Sequence, residues 1–208
     1  MVVRTVRSAL CLLLLPAACL AADEMLSNPG FEDGLATWTT NHTWYAGEGD
    51  GLSAITVAPD EGREGGAALR IDGAGNRGIA MQTIGAIYPD RFRVTGWIRC
   101  EGLGDAAAVI QVEWNGDDGW IGGSPVGSVV GDADWTFIGA TVEAPNEATS
   151  AHVEGLTSIP NSGRAWFDDI SFVDPVVDAG PPGPVAARQA QRAGGRGVVA
   201  VEWSDYDA

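Results

Sequence analysis

The sequence predicts an all-β protein of antiparallel strands, and three observations predict it. Apolar and polar residues alternate in many short runs, the period-two pattern of half-buried strands. Turn-like clusters such as "APDEGREGG", "DGAGNRG", "NGDDG", "GDAD", "APNEAT" and "IPNSG" separate the runs, and 29 glycines are spread along the 208 residues. No stretch of helical period rivals these runs, and no internal repeat is visible. Short strands at this spacing make a sandwich or a barrel.

Taken in order, the strands fall at 52–57, 67–72, 79–84, 91–99, 107–114, 135–143, 151–156 and 165–173. Strand 91–99, "RFRVTGWIR", puts Phe92, Val94, Gly96 and Ile98 on one face and Arg93, Thr95, Trp97 and Arg99 on the other. Strand 107–114 divides likewise, with Ile110, Val112 and Trp114 opposed to Val109, Gln111 and Glu113. Strand 151–156 contributes His152 and Glu154. In the last strand, "AWFDDISF", strict alternation groups Trp166, Asp168, Ile170 and Phe172 on a face apolar enough to line a core. An unpaired carboxylate there would cost several kcal/mol, so Asp168 needs a partner. A metal ion, an arginine (Arg70 or Arg164) or a set of backbone N–H groups could each supply one. Asp169 faces the other way, as a solvated or turn-bonding residue.

The ends of the chain differ from its middle. Residues 1–22 carry Arg4 and Arg7, the apolar run "SALCLLLLPAACLAA" and small residues, the three parts of a secretory signal. That apolar run is well short of the ~20 residues of a membrane span, so no membrane insertion is expected after cleavage, and the location is secreted or cell-surface. Removing the signal takes two arginines with it and moves the formal net charge from -16 to -18. So acidic a protein lacks the positive surface that nucleic acid or an anionic membrane demands, and it suits cations instead. Cys100 is then without an internal disulfide partner and reads as a small packed residue. Residues 23–174 form the main domain. Residues 175–184 are a Pro-rich, extended linker. Residues 185–208, with Trp203, resemble the opening strands of a fibronectin type III domain, too few for independent stability.

The main domain opens with "MLSNPGFEDGLATW" and closes with "SGRAWFDDISF"; between them lie "GGAALRIDG", "RFRVTGWIR" and "ADWTFIGATVEAP". This ordered set resembles carbohydrate-binding modules of families 4, 9 and 22. The resemblance implies an antiparallel jelly-roll β-sandwich of the galactose-binding-domain-like type. It also implies a structural calcium ion joining the first and last strands, held by Glu32 and Asp168 with backbone carbonyls around 64–67. Calcium takes six to eight oxygens of this mixed kind. Asn28, Pro29 and Gly30 read as loop chemistry, Gly30 for a backbone angle a side chain would forbid. Phe31 and Trp38 read as packing residues.

A glycan partner would need flat apolar surfaces and hydroxyl-binding groups, and eight tryptophans can supply the first. On strand parity, Trp97, Arg99, Gln111 and Glu113 are expected on a single polar-aromatic surface, joined by His152 and Glu154. Trp44, Tyr45 and Trp120, in loop-like sequence, would flank it. Plainer roles stand beside these: Trp97, Trp114 and Trp135 as core, and Arg99 with Glu113 as a cross-strand ion pair. No nucleophile elbow or hydrolase metal spacing surrounds His42 or His152, and most acids lie in turns rather than facing across a cleft. The expected function is therefore a non-catalytic module that holds a larger protein to a polysaccharide. The alternative is a structural or adhesive spacer that binds no sugar.

Overall fold

The computed structural model describes residues 23–40, 53–88 and 90–174. All belong to one compact unit that ends at Pro175. The signal-like segment, Trp44, Tyr45 and the fibronectin-like tail lie outside the described residues.

Ten strands are present: β1 (Thr39–Thr40), β2 (Ala54–Ala58), β3 (Ala68–Asp72), β4 (Ile79–Gly85), β5 (Arg91–Glu101), β6 (Ala107–Gly116), β7 (Gly119–Val130), β8 (Ala133–Glu143), β9 (Ser150–Thr157) and β10 (Arg164–Val173). They form two five-stranded sheets, in the orders β1-β4-β9-β6-β7 and β2-β3-β10-β5-β8. Every pairing is antiparallel. This is the jelly-roll sandwich that the sequence leads one to expect, with all eight expected strands in place. Two further strands carry little sequence signal. β1 is only two residues long. β7 is rich in Gly, Ser and Pro, and it survives as a strand because it is an edge, paired to β6 alone, where Pro125 need not donate.

The core lies between the sheets. β5 contributes Phe92, Val94, Ile98 and Cys100; β6 contributes Ala108, Ile110, Val112 and Trp114; β10 contributes Phe167, Ile170 and Phe172. Phe92 stacks on Phe172 at 4.8 Å between ring centroids. Burying side chains of this size is worth roughly 1.5–3 kcal/mol each. Burial pushes the Cys100 thiol up to about 12, so it is a packed residue and no nucleophile at neutral pH.

The opening segment is tied to the closing strand by its backbone. Glu24 bridges Val173, the Met25 N–H donates to the Phe172 carbonyl at 3.0 Å, and the Ile170 N–H donates to the Pro29 carbonyl at 3.1 Å. The opening loop does not strain Gly30. Its left-handed residues include Asn28 (φ 55°) and Phe31 (φ 59°). Asn28 suits this, because its side-chain oxygen accepts the Asp33 N–H and its amide donates to the Gly34 carbonyl. Phe31 and Trp38 are buried against each other, 4.8 Å apart, as packing residues.

Candidate functional site

The expected face of Asp168 requires correction. A β-bulge between Asp168 and Ser171, with Asp169 at φ 48°, inserts one extra residue into β10. It resets the alternation. Phe167, Ile170 and Phe172 point into the core, whereas Trp166 and Asp168 stand on the outer face of the sheet. Asp168 is nevertheless only 6 % exposed, since the 61–67 loop lies over it. Its Oδ2 accepts the Arg63 N–H at 2.9 Å and its Oδ1 the Asp169 N–H at 2.8 Å. Burial pushes the Asp168 carboxyl up, and these two N–H groups pull against that shift. Arg70 and Arg164 do not reach it; they pair with Glu61, Asp72 and Glu101.

Glu32 grips the same loop at its other end, its Oε1 accepting the Ala67 N–H at 2.9 Å. Gly66 has to be glycine for this grip, because a Cβ would sit 2.3 Å from that oxygen and push the carboxylate away. Among the described residues no three His, Cys, Asp or Glu side chains converge as a metal site. The donors at hand are two carboxylates, from the opening segment and from β10, that meet the 61–67 loop, plus that loop's carbonyls. This all-oxygen set fits calcium and no softer metal.

Trp97 and Arg99 occupy this same outer face. The Arg63 guanidinium lies 4.6 Å from the Trp97 ring centre, and Arg99 lies 4.3 Å from that of Trp166. Arg99 pairs with Glu101 at 2.6 Å, not with Glu113. Nearly every charge here has a partner: Arg63 bridges Glu64 and Asp169, and the Trp166 indole N–H donates to Glu61. The single surface expected for Trp97, Arg99, Gln111 and Glu113 therefore does not exist. β5 and β6 belong to different sheets, so their outward side chains lie on opposite sides of the molecule.

The other outer face gathers Gln111, Glu113, His152, Glu154 and Trp120. Strand register builds it in rows across β4, β9, β6 and β7: Gly85, Ser150, Asn115 and Trp120; then Thr83, His152, Glu113 and Gly123; then Met81, Glu154, Gln111 and Pro125. Beyond them Ile79, Leu156 and Val109 form, with Met81, a small apolar cluster on the same face. Gln111 Nε2 lies 2.8 Å from both Glu113 Oε1 and Glu154 Oε2, so one amide serves two carboxylates. The Trp120 indole N–H donates to Glu113 Oε2. Gly123 leaves room for that carboxylate, since a Cβ would approach its oxygens to 2.9 Å.

Two features mark this face as unfinished. Trp120 is 66 % exposed, whereas Trp38, Trp114 and Trp166 are buried. The two buried side-chain polar atoms without a hydrogen-bond partner among the described residues, Asn115 Nδ2 and Glu154 Oε1, both belong to residues of this face. Beside the apolar cluster, burial pushes the Glu154 carboxyl up to about 7, against the pull of the Gln111 amide. Asn115 is absent from the residues singled out in the sequence, although it continues the 109, 111, 113 alternation by one step.

Comparison with known proteins places the fold. No family model and no curated protein matches the sequence. Solved structures do match. The family 22 xylan-binding domain of Paenibacillus barcinonensis Xyn10C aligns with a TM-score of 0.55 at 16% identity, over 74% of this chain and 95% of that one. A family 16 carbohydrate-binding module gives 0.54 at 13% identity, over 72% and 99%. The enzymatically active domain of bacteriophage CBA120 tailspike protein 4 gives 0.51 at 14% identity over 72% of this chain, which spans only 21% of that protein. At such identities the likeness is one of fold. That fold is an all-β jelly-roll sandwich, shared with these carbohydrate-binding modules.

Proposed function

We propose that this chain is a non-catalytic carbohydrate-binding module whose ligand face is the outer side of the β1-β4-β9-β6-β7 sheet. One observation carries the reading: the exposed Trp120 ring adjoins a row of carboxylate and amide side chains, and that face holds the two buried polar atoms left without a hydrogen-bond partner among the described residues. An indole face suits the apolar side of a pyranose, and hydroxyls both donate and accept, so a sugar could meet Asn115 and Glu113 together. In this reading Trp120 is the platform and Gln111, Glu113 and Asn115 the hydroxyl partners, with His152 and Glu154 behind them. The fold shared with a xylan-binding domain supports it.

The module is exported by its signal-like N-terminal segment and tethers further polypeptide to a polysaccharide. No helix among the described residues is long and apolar enough to cross a membrane. Calcium, held by Glu32, Asp168 and the carbonyls of residues 64–67, would neutralise two acids and fasten the 61–67 loop. Titrating soluble β-glucans, xylans and galactans into the chain, with tryptophan fluorescence as the readout, tests the function. Binding lost in Trp120→Ala supports it; a chain indifferent to every polysaccharide favours the spacer reading. A melting temperature that chelator leaves unchanged rejects calcium.

A further inference from the structure

The geometry points to a more specific ligand for this face: a polysaccharide bearing ammonium groups, of the glucosamine type, with an ammonium paired to Glu113. The inference rests on the glycan-binding reading above and adds the charge class of the glycan. Glu113 and Glu154 share one amide, and neither takes part in any of the ion pairs formed by the described arginines. Gln111, Asn115 and Thr83 around them are uncharged, and His152 is the one other titratable side chain of these rows.

Glu113 has capacity to spare. A carboxylate offers about four acceptor positions, and Gln111 and Trp120 use one on each oxygen. An ammonium could bond there while its pyranose ring rests on the exposed indole, whose face also attracts a cation. Behind Glu113, Glu154 keeps one oxygen without a donor among the described residues. Burial raises its pKa and the like charge of Glu113 adds to the shift, against the pull of the Gln111 amide and of Arg77. A cation at Glu113 would favour the ionised form of Glu154, so on binding near neutral pH Glu154 would give up a proton, set against the protons taken up by those amines that arrive uncharged. The formal charge of -16 draws a cationic chain in, and an anionic sugar would meet two carboxylates.

Calorimetric titration with a glucosamine hexamer and its fully N-acetylated counterpart, at pH 7 in two buffers of different ionisation enthalpy, tests this. The glucosamine hexamer is expected to bind at least about ten-fold more tightly, with more proton release from the unaltered chain than from Glu154→Gln, and the difference in affinity should shrink at about 0.5 M salt. Glu113→Gln and Glu154→Gln should each reduce the difference several-fold, while Trp120→Ala weakens both hexamers. Equal affinities, or the same proton balance in the unaltered chain and in Glu154→Gln, would overturn the inference. So would a preference that survives both glutamate substitutions together, which would mark a general attraction of a polycation to an acidic surface. If neutral polysaccharides bind without any such preference, the charge class fails and the glycan-binding reading stands; if nothing binds, both fail.

Discussion

The two outer faces of this sandwich differ in how completely they satisfy themselves. On the β2-β3-β10-β5-β8 side, Arg63, Arg70, Arg99 and Arg164 each meet a carboxylate, Trp97 and Trp166 each lie beneath a guanidinium, and Asp168 receives two backbone N–H groups. On the β1-β4-β9-β6-β7 side, two carboxylates lean on one amide, two buried polar atoms lack partners among the described residues and a tryptophan stands in solvent. Native proteins satisfy nearly all buried polar groups, so a pair of exceptions on one face is informative. The first face holds the loop and the bulge in place; the second is where a ligand has something to add.

Three substitutions sharpen this contrast. The largest effect is expected at Asp168. Asp168→Ala strands two N–H groups of a buried site, at about 1–3 kcal/mol each. It should lower the melting temperature by roughly 5–10 °C without changing polysaccharide affinity, as followed by thermal denaturation and titration. A variant that melts like the unaltered chain would show that these bonds hold nothing.

Glu154 gives an intermediate effect with a sign set by linkage. Its carboxyl is raised from 4.5 to about 7 in the folded chain, so the folded state holds the proton more tightly than the unfolded one. Its contribution to stability is complete below pH 4.5 and is lost as pH rises towards 7, by roughly 3 kcal/mol in all. Denaturant unfolding across that range should show a fall in stability that Glu154→Gln flattens. An unaltered slope in the variant would place the proton elsewhere. The smallest effect belongs to Arg99→Gln, which removes a half-exposed ion pair and a cation–π contact worth about 0.5–1 kcal/mol together; a larger loss would mean the closed face is less redundant than its network implies.

Much of this was legible in the residues. Period-two alternation located eight strands and correctly divided the faces of β5 and β6. Three things were not legible for physical reasons. The bulge in β10 shifts the alternation by one residue, and although Asp tolerates a left-handed angle, "FDDIS" does not mark which of its two acids will take one. Parity says which residues share a face of one strand, but sheet membership is set by long-range pairing, so Trp97 and Glu113 could not be separated before β5 and β6 were seen in different sheets. β7 hid among glycines, and with it went the placement of Trp120 on a strand beside Glu113.

The most direct test of the central claim, that sugar meets the incomplete face, compares Trp120→Ala with Trp97→Ala in one polysaccharide titration. The account predicts at least about a ten-fold loss of affinity for Trp120→Ala and an unchanged affinity for Trp97→Ala, with both variants folded. Binding abolished by Trp97→Ala and untouched by Trp120→Ala would contradict it.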